Sequence, residues 1–217
     1  MRLTVLVVEG ESDTRLLLNA GLDALKTRPN LVERQRLRQR EIQIFGKAII
    51  GEVASDSAII TINVPILLWR ALFLRLRRQS AGTRESGAFL LGRQNTASGR
   101  VTRFICYDSL DPHAYQSGAI AFHAPGYAAL WQYCRQHKLE VLADVHTHPG
   151  ANVCQSPIDQ NNPMVPVVGH AAMILPHFAR TWWWSLQSVG VYEYLGHFNW
   201  RTHRPSENPQ RITLSLW

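Results

Sequence analysis

A chain of 217 residues, 46% hydrophobic and 18% charged, has the apolar content of one ordered globular domain with room for an appendage. Without a run of about 18 apolar residues no membrane span is expected, and Glu9, Glu11 and Asp13 behind a short apolar stretch do not suit a signal peptide. The formal charge of +7 leaves acidic partners open, and three cysteines (Cys106, Cys134 and Cys154) make no even framework, so a reducing, cytoplasmic setting is expected.

In chain order, LTVLVV (3–8) reads as a buried strand, and Asp13 to Lys26 as a helix with Leu16, Leu17, Leu22 and Leu25 apolar. Pro29 breaks that helix, and a basic one resumes through RQRLRQR (34–40). IIGEV and SAIITINV (49–64) suggest a hairpin turning at 54–57. Pro65 opens a helix through 79. There Leu67, Leu68, Ala71, Leu72, Leu74 and Leu76 mix with Arg70, Arg75, Arg77 and Arg78 at near-helical spacing, read as a core-packed helix with a solvated basic face in preference to a nucleic-acid surface. Ser80-Ala81-Gly82 ends it and delivers Glu85 to a strand over 87–92. A polar turn (92–99) joins this to a paired strand, VTRFICYDSL (101–110).

A loop over 111–117 contains Pro112 and His113. His123-Ala124-Pro125-Gly126 then precedes a helix, YAALWQYCRQHK (127–138), which feeds the strand VLADV (141–145). GHAAMILP (169–176) is a further strand, and Trp182-Trp183-Trp184 with VGVYEYL (189–195) supply one or two more. The tryptophans are assigned to inter-sheet core and an exposed edge ahead of a groove for an extended peptide. Beyond Arg201 a polar tail with two prolines closes on ITLSLW, an edge-strand candidate. This order of strands and helices gives an α/β fold.

The chemistry concentrates in residues 144–163, DVHTHPGANVCQSPIDQNNP. In a strand, residues i and i+2 share a face, so His146 and His148 project together while Thr147 points away. Pro149 and Gly150 end the strand. Ser156-Pro157-Ile158-Asp159 then opens a short helix, with serine at the N-cap, proline at the first position and a carboxylate in the first turn. If the intervening loop folds back, two imidazole nitrogens and one carboxylate oxygen converge with a fourth position free, the ligand set of catalytic zinc. Each half also has a plain structural reading: two ordinary strand histidines, and a helix capping box. Neither of those readings requires the other segment at this distance.

His146-x-His148, seven residues, then Ser156-x-x-Asp159 resembles the JAMM motif of the JAB/MPN metalloproteases. Their pattern adds an upstream glutamate at a helix-to-strand step, where Glu85 stands in ESGAFLLGR. The resemblance spans residues 60–195. It implies an α/β, cytidine-deaminase-like mixed sheet flanked by helices, here with an N-terminal strand-helix extension over 1–45, a catalytic domain over 46–200 and a tail over 201–217. It further implies Zn2+ held by His146, His148 and Asp159, with Glu85 as proton carrier and Ser156 as oxyanion donor. The reaction would be hydrolysis of the amide after the C-terminus of ubiquitin or a ubiquitin-like protein.

The wording HTHPG and GHAAMILP is similar to compact prokaryotic members. Some of these are encoded beside E1-like and E2-like enzymes, sometimes in anti-phage defence, and others process sulfur-carrier proteins. The expected partners are a ubiquitin-like protein or its conjugate and E1-like or E2-like proteins, with no membrane and with nucleic acid disfavoured. Asp144 and Thr147 are open as outer partners of the ligands or as exposed strand residues. Cys154 is open as a metal neighbour or a small buried residue. His113, His123, His137, His170, His177, His197 and His203 lack mutual metal spacing.

Two rivals remain at this point. One is a non-catalytic scaffold of the same fold, against which Glu85, His146, His148 and Asp159 stand intact. The other is a basic nucleic-acid-binding protein. VVEGESD resembles the glutamate motif of toprim domains, but the DxD pair that would complete it is absent from the chain, leaving Glu9 a polar strand-end residue and Asp13 a cap.

Overall fold

The computed structural model describes residues 60–116, 120–207 and 210–216, so the elements expected before residue 60 lie outside it. Strand Thr61–Pro65 (β1) runs into helix Ile66–Ser80 (α1), followed by the hairpin Gly87–Gln94 (β2) and Ser98–Cys106 (β3). A short helix, Tyr107–Leu110 (α2), and a longer one, Ala124–His137 (α3), lead to strand Glu140–Thr147 (β4). Helix Pro157–Asn161 (α4) and strands Ala171–Leu175 (β5), Gly190–Gly196 (β6), Asn199–His203 (β7) and Ile212–Ser215 (β8) complete the described order. The eight strands form one mixed sheet, β7-β6-β5-β4-β2-β3-β1-β8. β2 is antiparallel to both β3 and β4, and β4 is parallel to β5.

The sheet is covered on both faces, which is why β2 and β5 read as unbroken apolar runs. Ala88 and Leu90 of β2 face Trp69, Leu72, Phe73 and Leu76 of α1. Phe89 and Leu91 face the other way, against Leu130, Trp131 and Cys134 of α3. Each large side chain so buried contributes about 1.5–3 kcal/mol. α1 stops where Ala81 turns left-handed (φ 49°) with its N–H on the carbonyl of Arg78. Gly82 follows at φ 75°, a backbone conformation that L side chains rarely adopt, under the Arg180 guanidinium.

The structure departs from the expected elements at three places. The β2–β3 turn is shorter than 92–99, because Asn95 Oδ1 accepts from the N–H groups of Ala97 and Ser98 and lets both strands extend. YDSL does not continue β3. It forms α2, which carries the Tyr107 ring into the core against Phe89 and Phe122. Both edges of β1 are taken by parallel partners, β3 and β8, and the first strand and turn of the hairpin expected over 49–64 lie outside the described residues.

Third, Trp182, Trp183 and Trp184 lie in a loop, not a strand. Only Trp183 packs against the core, with the Arg70 guanidinium 5.4 Å from its ring. Trp182 and Trp184 pair outside at 4.6 Å and are 69% and 53% exposed. ITLSLW does supply an edge strand, and the boundary drawn at 200 falls inside β7. Among the described residues no helix is long and apolar enough to cross a membrane.

Candidate metal centre

β4 lies between β2 and β5 in the middle of the sheet, and its alternation sorts the site. Ala143 and Val145 pack on the α1 side, and Thr147 reaches Ser80 at the end of α1. Asp144 and His146, one step out of phase, take the opposite side. The ladder continues one residue past β4, where the His148 N–H donates to the Leu175 carbonyl. The two imidazoles therefore stay together, with their Nε2 atoms 3.2 Å apart.

The loop does fold back. Asp159 Oδ1 lies 3.5 Å from His146 Nε2, and Oδ2 lies 3.4 Å from His148 Nε2. The capping box is also complete: the Asp159 N–H donates to Ser156 Oγ, and the Ser156 N–H donates to Asp159 Oδ2. The structural and the metal readings of S-x-x-D are thus one device, since the cap aims the carboxylate at the histidines. His148 Nδ1 lies 3.1 Å from the Asn152 carbonyl, which can only accept. That nitrogen carries the proton, and the Nε2 lone pair of the neutral ring points inward.

Behind His148, residues His177, Phe178 and Ala179 all sit at left-handed φ (53°, 54° and 57°). This conformation costs about 1–2 kcal/mol per residue. The turn directs the N–H of Phe178 to the His148 carbonyl and that of His177 to the Gly150 carbonyl, so it fixes the backbone of the ligand loop.

The three ligand atoms stand 3.2–3.5 Å from one another, and the two His–Asp separations are long for a hydrogen bond. They match instead the edges of a tetrahedron, because ligands at the usual zinc distances stand about 3.3–3.4 Å apart. His146, His148 and Asp159 form the candidate metal-binding group among the described residues, and the donor set fits zinc. Burial lowers the pKa of His146. The bond to Asp159 raises that of His148, so a proton competes with a metal there. Burial also pushes the Asp159 carboxyl up, but the bonds from His148 and Ser156 and the charge of His146 outweigh it and hold it at about 2.

Glu85 occupies the turn between α1 and β2 and is half-buried. Burial pushes its carboxyl above the usual glutamate value, opposed by the charge of His148 and reinforced by that of Asp159. Its carboxyl is therefore within electrostatic reach of His148 and Asp159. The Ser156 oxygen accepts the Asp159 N–H, and its hydroxyl also faces the Asp159 carboxylate.

Asp144 and Thr147 are both buried, which removes the exposed reading. Asp144 accepts from Tyr107 Oη (3.2 Å) and pairs with His170 Nε2 (2.8 Å). Thr147 meets Ser80 and Ser86. His170, Ser80 and Ser86 carried no signal in the sequence, since only the strand pairing brings them to this strand. Cys154 is exposed and stands outside the cluster, so both readings weighed for it are set aside. His123 and His203 are tied instead to carboxylates elsewhere, Asp111 and the pair Glu193 and Glu207.

The family model for prokaryotic homologs of the JAB domain matches residues 70–185, and the chain belongs to this family. Its mixed sheet with flanking helices is the α/β JAB/MPN fold. Two solution structures are similar to it. One is of a protein from Desulfitobacterium hafniense, 16% identical, covering 71% of this chain and 93% of that one at a TM-score of 0.48. The other is of a protein from Salinibacter ruber, 17% identical, covering 68% and 94% at a TM-score of 0.42.

Proposed function

We propose that the chain is a zinc-dependent JAMM-type peptidase that cuts the amide after the C-terminus of a ubiquitin-like protein. One observation carries this reading: His146, His148 and Asp159 converge at tetrahedral spacing with the carboxyl of Glu85 in electrostatic contact. A zinc ion bound there supplies Lewis-acid polarisation and brings the pKa of water toward about 7. Glu85 takes the proton of the attacking water and returns it to the leaving amine nitrogen, a task suited to a carboxyl raised above its ordinary value. The Ser156 hydroxyl donates to the oxygen that gains charge; losing one such donor in other hydrolases costs about 3 kcal/mol.

The substrate is a flexible Gly-Gly-like tail bound extended. The setting is a cytoplasmic, bacterial ubiquitin-like system in which E1-like and E2-like proteins make the bond that this chain breaks. The test is hydrolysis of linear ubiquitin-like fusions by the full chain, with and without a chelator. Cleavage at the tail that stops on chelation and returns with zinc supports the reading. Cleavage of sulfur-carrier fusions alone would move the substrate to that class. Zinc binding with no cleavage of either would favour a scaffold, and salt-sensitive nucleic-acid binding that survives His148→Ala would favour the basic-protein alternative.

A further inference from the structure

The Glu85 turn and the ligand strand are joined by a closed set of buried hydroxyls. Ser80 Oγ lies 2.8 Å from Ser86 Oγ and 3.2 Å from Thr147 Oγ1. Ser86 Oγ donates to the Leu76 carbonyl (3.0 Å), and the Ser86 N–H donates to Thr147 Oγ1 (3.0 Å). The Thr147 N–H returns to the Ser86 carbonyl at 2.9 Å.

Each hydroxyl has one proton, so the directions follow. Ser86 gives its proton to Leu76 and must accept from Ser80. Ser80, having given its proton to Ser86, must accept from Thr147. The order is Thr147 to Ser80 to Ser86 to the end of α1, with the Ser86 amide closing back onto Thr147. All three side chains are fully buried, at 0% exposure. One residue beyond Ser86 the Gly87 N–H donates to Tyr115 Oη, and on the other flank of Glu85 Arg84 donates from Nε to the Gln79 carbonyl.

The geometry points to Thr147 as the positioning residue for Glu85. Lying between the two histidines in sequence but on the opposite face of the sheet, its hydroxyl fixes the residue after Glu85 in register with the ligand strand. It thereby sets the height of the carboxylate over the site. A displacement of about 1 Å there is enough to cost about 100-fold in turnover. This inference rests on Glu85 acting as the proton carrier.

The experiment compares Thr147→Val and Thr147→Ser in the full chain. It measures zinc per chain, kcat and KM on a linear ubiquitin-like fusion, and amide exchange at Ser86 in the metal-free protein. Thr147→Val is expected to keep zinc and KM, lose about 10–100-fold in kcat, and exchange the Ser86 amide at least about tenfold faster. Thr147→Ser, which keeps the hydroxyl, restores both. Full kcat in Thr147→Val, loss of zinc along with kcat, or no rescue by serine would overturn the assignment.

If Thr147→Val does not fold, Ser80→Ala replaces it. It removes the acceptor of the Thr147 proton but leaves the Ser86 amide bond, and its kcat must then fall with KM and zinc unchanged. If the wild type cleaves no fusion, the functional reading fails by itself, and Ser86 exchange alone decides whether Thr147 holds the turn.

Discussion

Two clusters of histidine and aspartate lie along β4, and their hydrogen-bond arithmetic is opposite. In the first, the Asp144 carboxylate faces His170 Nε2 at 2.8 Å and the Tyr107 hydroxyl at 3.2 Å, so each acceptor meets a donor at bonding distance. In the second, two residues along, His148 Nε2 is an acceptor because its Nδ1 faces the Asn152 carbonyl, the Asp159 carboxylate can only accept, and these atoms and His146 Nε2 stand 3.2–3.5 Å apart. The first cluster is complete and belongs to the core. The second gathers lone pairs of two imidazoles and a carboxylate, and that donor set makes it the candidate metal site although its residue types are the same. Burial does not separate them, because His146 is 7% exposed and His170 6%.

Breaking the second cluster should have the largest effect. His148→Ala is expected to abolish zinc binding and with it all hydrolysis, checked by metal analysis of the purified full chain; retained stoichiometric zinc would remove His148 from the ligand set. Glu85→Gln should separate chemistry from binding, with zinc kept and turnover reduced about 10²–10⁴-fold. Appreciable residual cleavage would displace Glu85 as the proton carrier.

Breaking the first cluster should do the reverse. His170→Leu leaves the buried Asp144 carboxylate without its imidazole and should cost about 3–5 kcal/mol in denaturant unfolding. The folded fraction should still take up zinc as the wild type does.

The smallest effect is a pH dependence. The folded Asp159 carboxyl titrates at about 2, below its ordinary value, so its ionised form stabilises the metal-free fold. That contribution is present above about pH 4 and is lost as pH falls toward 2. Metal-free Asp159→Asn should therefore be less stable than wild type at pH 6, with the gap closing through that window. A gap unchanged down to pH 2 would show that the charge is not what matters.

Much of the site was legible because its signals are local. The i, i+2 rule placed both imidazoles on one face, and Ser-Pro-x-Asp declared its own cap. Glu85 was found from the helix end before it. What stayed hidden depends on partners far along the chain. Asp144 looks like any strand aspartate until β5 brings the residue preceding it, His170, alongside. Thr147 is uninformative until Ser80 and Ser86 meet it. The left-handed turn at 177–179 contains no glycine and so gave no sign. The tryptophan run misled for a related reason: aromatics favour strands, but Arg70 and the core take up Trp183 alone and the chain bends around it. Likewise YDSL has strand-like neighbours, yet burying the Tyr107 ring requires the turn of α2.

The most direct test is a zinc titration of the metal-free full chain alongside variants in each cluster. One zinc per wild-type chain, the same in folded His170→Leu and none in Asp159→Ala, is the outcome expected of a core pair beside a metal site. Absence of zinc uptake by the wild type, or uptake that survives replacement of His146, His148 and Asp159 together, would contradict it.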